Sequence, residues 1–320
     1  MPWRETPEEL ERARAEFPVI VPGPHGHLVG IHTPPAPGAS TGLCVIWHTI
    51  PRSHRNRMWV QGARHLAVRG FASFRFDYHG VGDSGGESAA VDPNYPYRDD
   101  TLAVISHLRS ALGHRRFVLF GSCFDARTAL SAFAGEADAI EGLVFMAAPV
   151  MKMEDMVRAD ADRKSWGHIL GALRRPANWI ALANPQRWGY MGMVLGRVAR
   201  RSIQRSDDRG NGNGHSIIGP VPRLPLSLGF LEQFDALARS RARALFLYGS
   251  EDREYVSFRE AESTLWPKLS AEARERLVIE IWDGKVHDGT LDMPVQRRIV
   301  ARVIEWIDAL GAVRAGATGE

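Results

Sequence analysis

The chain has 320 residues, a formal net charge of +3, 44% hydrophobic residues and two cysteines, Cys44 and Cys123. That length holds one large α/β domain with an insertion, or two small domains. The charge is far from a nucleic-acid footprint, no apolar run reaches a membrane span, and two cysteines outside any metal-ligand spacing make neither a disulfide framework nor a metal knot.

In chain order, residues 3–16 read as a charged amphipathic helix with Thr6 as N-cap and Pro7 in its first turn. Phe17 to Val21 and Gly26 to Thr33 read as an antiparallel hairpin at a sheet edge, and Leu43 to His48 as a buried strand. A helix follows over residues 56–69 with Trp59, Ala63, Leu66 and Ala67 inward, then a strand over 71–76, a Gly-rich loop over 78–86 and a helix over 98–112. Residues 117–120 (FVLF) form an apolar strand, residues 126–133 a helix and residues 141–148 a further strand. This alternation predicts a parallel sheet with helices on both faces. It breaks at Pro149 into a mostly helical stretch containing the Gly/Asn/Asp-rich run 206–220, with a last helix over 224–242. It resumes with strand 244–248, helix 260–266, strand 276–281 and a final helix over 294–310. The expected division is a core of residues 1–150 and 241–320 with a helical cap over 151–240.

The stretch Gly121-Ser122-Cys123-Phe124 lies between a buried strand and a helix. A sharp strand-to-helix turn carrying a nucleophile-type residue is a nucleophile elbow, which projects one side chain above the sheet edge. Backbone passes close by, so the residue two before the nucleophile must be small. Gly121 meets this for Cys123; a frame centred on Ser122 would put Phe120 and Phe124 at the crowded positions. Taken alone, a cysteine here also fits a small buried core residue.

The pattern resembles the α/β-hydrolase superfamily, in a cysteine-nucleophile version with a helical cap. Asp125 stands where the family has glycine, and a carboxylate there disfavours a thiolate. The resemblance implies the chain order nucleophile, acid, base. Leu245 to Asp252 resembles the family's acid strand and loop, with Asp252 as the acid and Glu251 as the fallback; His287, in the loop Asp283 to Gly289, matches the loop histidine. An oxyanion hole would take one backbone N–H from Phe124 and one from Thr49 or Ile50, since Pro51 has none. The loop Phe76 to Gly85 resembles the family's Gly-rich structural loop, its Asp and Ser acting as turn formers; no lysine follows in P-loop spacing.

Within the insertion, Trp166, Trp179, Trp188, Tyr190, Met191 and Met193 are either an apolar acyl pocket or ordinary helix–helix packing. Trp166, Trp188 and Tyr190 are the candidate substrate contacts. Arg174, Arg175, Arg197, Arg200, Arg201 and Arg205 are either a solvated face or a dock for an acidic carrier protein bearing a thioester. The expectation is a cytoplasmic hydrolase of an ester, thioester or lactone, working through an acyl-cysteine on Cys123 with His287 and Asp252 and needing no cofactor or metal. Acyl transfer or cyclisation onto an amine or hydroxyl is the rival enzyme, because a thioester intermediate reacts with those nucleophiles as well as with water. A non-catalytic binding protein on the same fold is the rival of another class.

Overall fold

The computed structural model describes residues 7–12, 15–87, 92, 94–151 and 226–317. The chain divides into two compact units, Met1–Val150 with Leu226–Glu320, and Met151–Pro225.

Eight strands form one sheet in the order β1-β2-β4-β3-β5-β6-β7-β8. They are β1 (Phe17–Gly23), β2 (Gly26–Thr33), β3 (Leu43–His48), β4 (Ala72–Phe76), β5 (Arg116–Ser122), β6 (Ile140–Met146), β7 (Arg243–Gly249) and β8 (Leu277–Trp282). The β1–β2 and β2–β4 pairs are antiparallel; every other pair is parallel. The described helices are α1 (Pro7–Arg12), α2 (Met58–Val68), α3 (Arg98–Ala111), α4 (Phe124–Phe133), α5 (Leu228–Arg239), α6 (Arg253–Leu265), α7 (Ala271–Arg276) and α8 (Met293–Ala317).

Central strands are buried on both faces, and strand side chains alternate between them. Cys44, Ile46, Phe117 and Leu119 point to one face, where α3 contributes Val104 and Leu108, α4 Leu130 and Phe133, and α5 Phe230, Phe234 and Leu237. Leu43, Val45, Trp47, Val118 and Phe120 point to the other, where α2 contributes Trp59 and Leu66 and α8 Ile299, Val303 and Ile307. The first-unit boundary therefore falls at Leu226 rather than at residue 241. The apolar stripe of α5 is consumed by the α4 side of the sheet, so that helix belongs to the core and not to the insertion.

One other boundary differs from expectation. The helix anticipated over 260–266 begins at Arg253, directly after Asp252. The run Tyr255-Val256-Ser257-Phe258 has mediocre helix propensity, but Phe258 and Ala261 are buried, and packing overrides propensity. The short helix α7 has Ser270 as its N-cap, accepting from the Ala273 N–H.

The Gly-rich loop is tied to its neighbours by side-chain bonds. Asp77 accepts from the Arg52 N–H at 3.0 Å and pairs with the Arg52 guanidinium, which also reaches Asp83 at 2.6 Å. Ser84 donates to the Asp77 carbonyl at 2.6 Å and accepts from the Val29 N–H at 2.8 Å. Among the described residues, no helix is long and apolar enough to cross a membrane.

Candidate active site

Cys123 sits between β5 and α4 with φ 54° and ψ −122°, a conformation that L-residues rarely adopt. Its N–H donates to the Met146 carbonyl at 2.7 Å and its carbonyl accepts from the Ala126 N–H at 3.1 Å, which pins the turn from both sides. A Cβ on Gly121 would strike the Ala126 backbone and the Asp125 carbonyl oxygen. The small-residue requirement two before Cys123 is thus imposed by the first turn of α4.

The second strand end is built around Gly249 and Asp252. Gly249 has the backbone of Gly284 and Val286 packed against it where a side chain would be. Asp252 is the N-cap residue of α6, but its carboxylate does not cap that helix. It reaches across to the neighbouring loop instead. It accepts from the N–H groups of Gly249 at 2.7 Å, Val286 at 3.1 Å and His287 at 3.0 Å. Burial raises its pKa, while these donors and the charge of His287 oppose the rise. Asp252 therefore fixes the backbone on which His287 stands.

The side chains that converge are Cys123, His287 and Glu254. The sulfur, an imidazole nitrogen and a carboxylate oxygen lie within 4.8 Å of one another. His287 Nδ1 is 3.9 Å from Glu254 Oε2, with the imidazole 28% and the carboxylate 5% exposed. Glu254 was absent from the sequence-based candidates, which named Asp252 and Glu251. A signal was present: an aspartate N-cap followed by a glutamate marks a helix start, and a helix beginning there turns Glu254 toward the strand ends. The Tyr248 hydroxyl, fully buried nearby, donates to the Ala148 carbonyl at 2.9 Å.

The sulfur's surroundings favour the neutral thiol. Burial, then the charges of Glu254 and Asp125, push Cys123 up to about 12, against the pull of the Phe124 N–H. Phe124, one candidate oxyanion donor, thus directs its N–H at the Cys123 sulfur. Asp125 is 8% exposed and its Oδ1 lacks a hydrogen-bond partner among the described residues. Burial pushes its pKa up to about 7, against the Tyr78 hydroxyl and the Ile50 N–H. Ile50, another candidate donor, therefore has this carboxyl for a neighbour. The third, Thr49, is buried and its hydroxyl donates to the Pro51 carbonyl at 3.2 Å.

His48 takes no part in this cluster. Its Nδ1–H donates to the Phe120 carbonyl at 3.1 Å and its Nε2 faces Thr101 Oγ1 at 3.1 Å, and burial lowers its pKa to about 4. It is a neutral strut between β3, β5 and α3. The three candidate substrate contacts, Trp166, Trp188 and Tyr190, and the arginines of the insertion lie outside the described residues.

A strained elbow on the central strand and a histidine loop after the last strand, at the same end of this sheet, define an architecture found in known proteins. The family model described as serine aminopeptidase, S33, matches residues 40–191. A proline iminopeptidase from Mycobacterium smegmatis superposes with a TM-score of 0.52 at 17% identity, covering 92% of this chain and 99% of that one. An esterase from Pyrococcus furiosus gives 0.54 at 14% identity, covering 94% of each chain. An α/β serine hydrolase homologue from Coxiella burnetii gives 0.52 at 14% identity, covering 89% of this chain and 96% of that one. The chain has the α/β-hydrolase fold. Curated proteins provide no match to its sequence.

Within the α/β-hydrolase fold, the C-terminal strand ends are where open α/β sheets place their ligands. This chain assembles a thiol, an imidazole and a buried carboxylate there. That set can transfer a proton from sulfur to nitrogen and hold the resulting imidazolium against an anion.

Proposed function

We propose that the chain is a hydrolase of an ester, thioester or lactone that works through a covalent acyl-cysteine on Cys123. His287 takes the thiol proton as sulfur attacks the acyl carbonyl, forming the S–C bond. The tetrahedral oxyanion is held by the Phe124 N–H and by an N–H of the Thr49–Ile50 segment. The C–O or C–S bond to the leaving group then breaks, and the imidazolium returns its proton to that group. Water, deprotonated by His287, attacks the thioester, and the carboxylic acid leaves with the thiol restored.

The observation that carries this reading is the position of Cys123: a strained elbow residue whose sulfur lies within 4.8 Å of the His287 imidazole. A thiol held up to about 12 does not rest as a thiolate, so sulfur needs the base in the same step as attack. Thiol attack on a thioester or activated ester is energetically near even, whereas amide cleavage is not. Cysteine therefore favours the former substrates.

The test is steady-state turnover of a panel of simple esters, acyl thioesters and lactones by the wild type, Cys123→Ala and His287→Ala. The expected result is wild-type turnover of at least one class, lost in both variants. Equal rates in all three proteins would overturn the reading.

A further inference from the structure

We propose that Cys123, Glu254 and His287 form a binding site for a single thiophilic divalent cation of the zinc type, and that its occupancy switches the thiol off. The proposal shares Cys123 and His287 with the hydrolase reading but does not depend on any acyl chemistry.

The donor set is the first argument. Zinc takes thiolate sulfur, imidazole nitrogen and carboxylate oxygen, and sites with three protein ligands keep a fourth position for water. Here one donor of each kind comes from a separate segment: the elbow, the first turn of α6 and the loop after β8. The three donor atoms lie within 4.8 Å of one another, with nitrogen and carboxylate oxygen at 3.9 Å. Around a tetrahedral zinc such atoms stand roughly 3.5 Å apart, as bond lengths of about 2.0–2.3 Å require. Closing that gap asks for about 1 Å of side-chain movement.

The second argument is rigidity and charge. Cys123 is fixed by backbone bonds on both sides, and the His287 backbone is clamped by the Asp252 carboxylate. Glu254 is buried in a helical first turn. A rigid donor set loses little conformational freedom on binding. Thiolate, carboxylate and neutral imidazole together carry two negative charges, which a dication neutralises. On binding, the thiol proton is released to solvent and an S–metal bond forms. The sulfur lone pair is then committed, and the imidazole nitrogen can no longer serve as a base.

The probe is zinc alone, offered to the full chain after chelator treatment and dialysis. Equilibrium dialysis with elemental analysis should find a single saturable equivalent at micromolar zinc. Binding should be at least about tenfold weaker in Glu254→Gln and abolished in Cys123→Ser, with unchanged circular dichroism in both. Cobalt in place of zinc should give a thiolate-to-metal charge-transfer band in the wild type that Cys123→Ser lacks, and bound zinc should protect Cys123 from alkylation. No saturable zinc binding, or a cobalt spectrum without a thiolate band, would overturn the proposal. These readouts need no substrate, so they stand or fall separately from the hydrolase reading: a metal-binding protein that turns over no ester contradicts only the latter.

Discussion

His287 and Glu254 face one another at 3.9 Å across the gap between the β8 loop and α6, while Asp252 holds the His287 main chain through its N–H at 3.0 Å. One acid thus faces the imidazole and the other anchors its loop, two residues apart in sequence.

This division predicts different phenotypes for two conservative substitutions. Glu254→Gln should lower kcat/KM about 10- to 100-fold with little change in melting temperature, because it removes the charge that stabilises the imidazolium. Asp252→Asn should cost about 2–3 kcal/mol of stability as well as activity, because an amide N–H₂ must then face backbone N–H donors. Paired denaturation and kinetic measurements check this. A destabilised Glu254→Gln beside a fully stable Asp252→Asn would reverse the assignment.

The thiols should react slowly. With Cys123 up at about 12, alkylation at neutral pH should fall at least about tenfold below that of a free cysteine and rise steadily through alkaline pH. Asp125→Asn, which removes one of the opposing charges, should speed it. Cys44, fully buried and pushed up by burial, should label only on unfolding. Mass spectrometry of peptides labelled across a pH series measures all three rates.

Asp125 gives a pH signature in stability. Its folded pKa of about 7 lies above the ordinary 3.8, so the folded state holds the proton more tightly than the unfolded chain. The contribution is fully present below about 4, declines as pH rises to about 7 and is level beyond. Asp125→Asn, which cannot ionise, should therefore gain on the wild type between those limits, by about 4 kcal/mol. Chemical denaturation of both proteins at several pH values would show it; parallel curves would contradict it.

Gly121→Ala should be among the most damaging small substitutions in the core. The added methyl meets the α4 backbone, which cannot swing aside like a flexible side chain, so a loss of about 3 kcal/mol or more is expected. Gly113→Ala makes a useful contrast. A Cβ there meets nothing within 4 Å, and only its φ of +74° opposes the change, so about 1 kcal/mol is expected. Denaturant midpoints of the two variants test the contrast.

Much of this architecture was legible in residue patterns. The buried runs Leu43 to His48 and Phe117 to Phe120, the hairpin of β1 and β2 and the glycine two before Cys123 each carry a strong local signal. So did the positions of Cys123, Asp252 and His287 at the same end of three parallel strands. What could not be read was decided by packing between distant segments. The helix at Leu228–Arg239 looks the same on paper whether its apolar stripe meets an insertion or the sheet. The role of Asp252 depends on which neighbour its carboxylate reaches, and it takes N–H groups from the end of β7 and from the loop after β8. Glu254 carries a helix-start signal, but the segment after Asp252 competes with it through weak helical character, which burial of Phe258 and Ala261 overrides.

The central claim is that the Cys123 sulfur carries the acyl group. Intact-mass analysis of the full chain, quenched within the first turnovers on a panel of acyl thioesters and esters, tests it most directly. The account predicts a stoichiometric mass increase equal to one acyl group, mapped to the Cys123 peptide, absent in Cys123→Ala and discharged on standing in water. A substrate that is turned over with no such adduct at any time, or with the adduct on another residue, would contradict it.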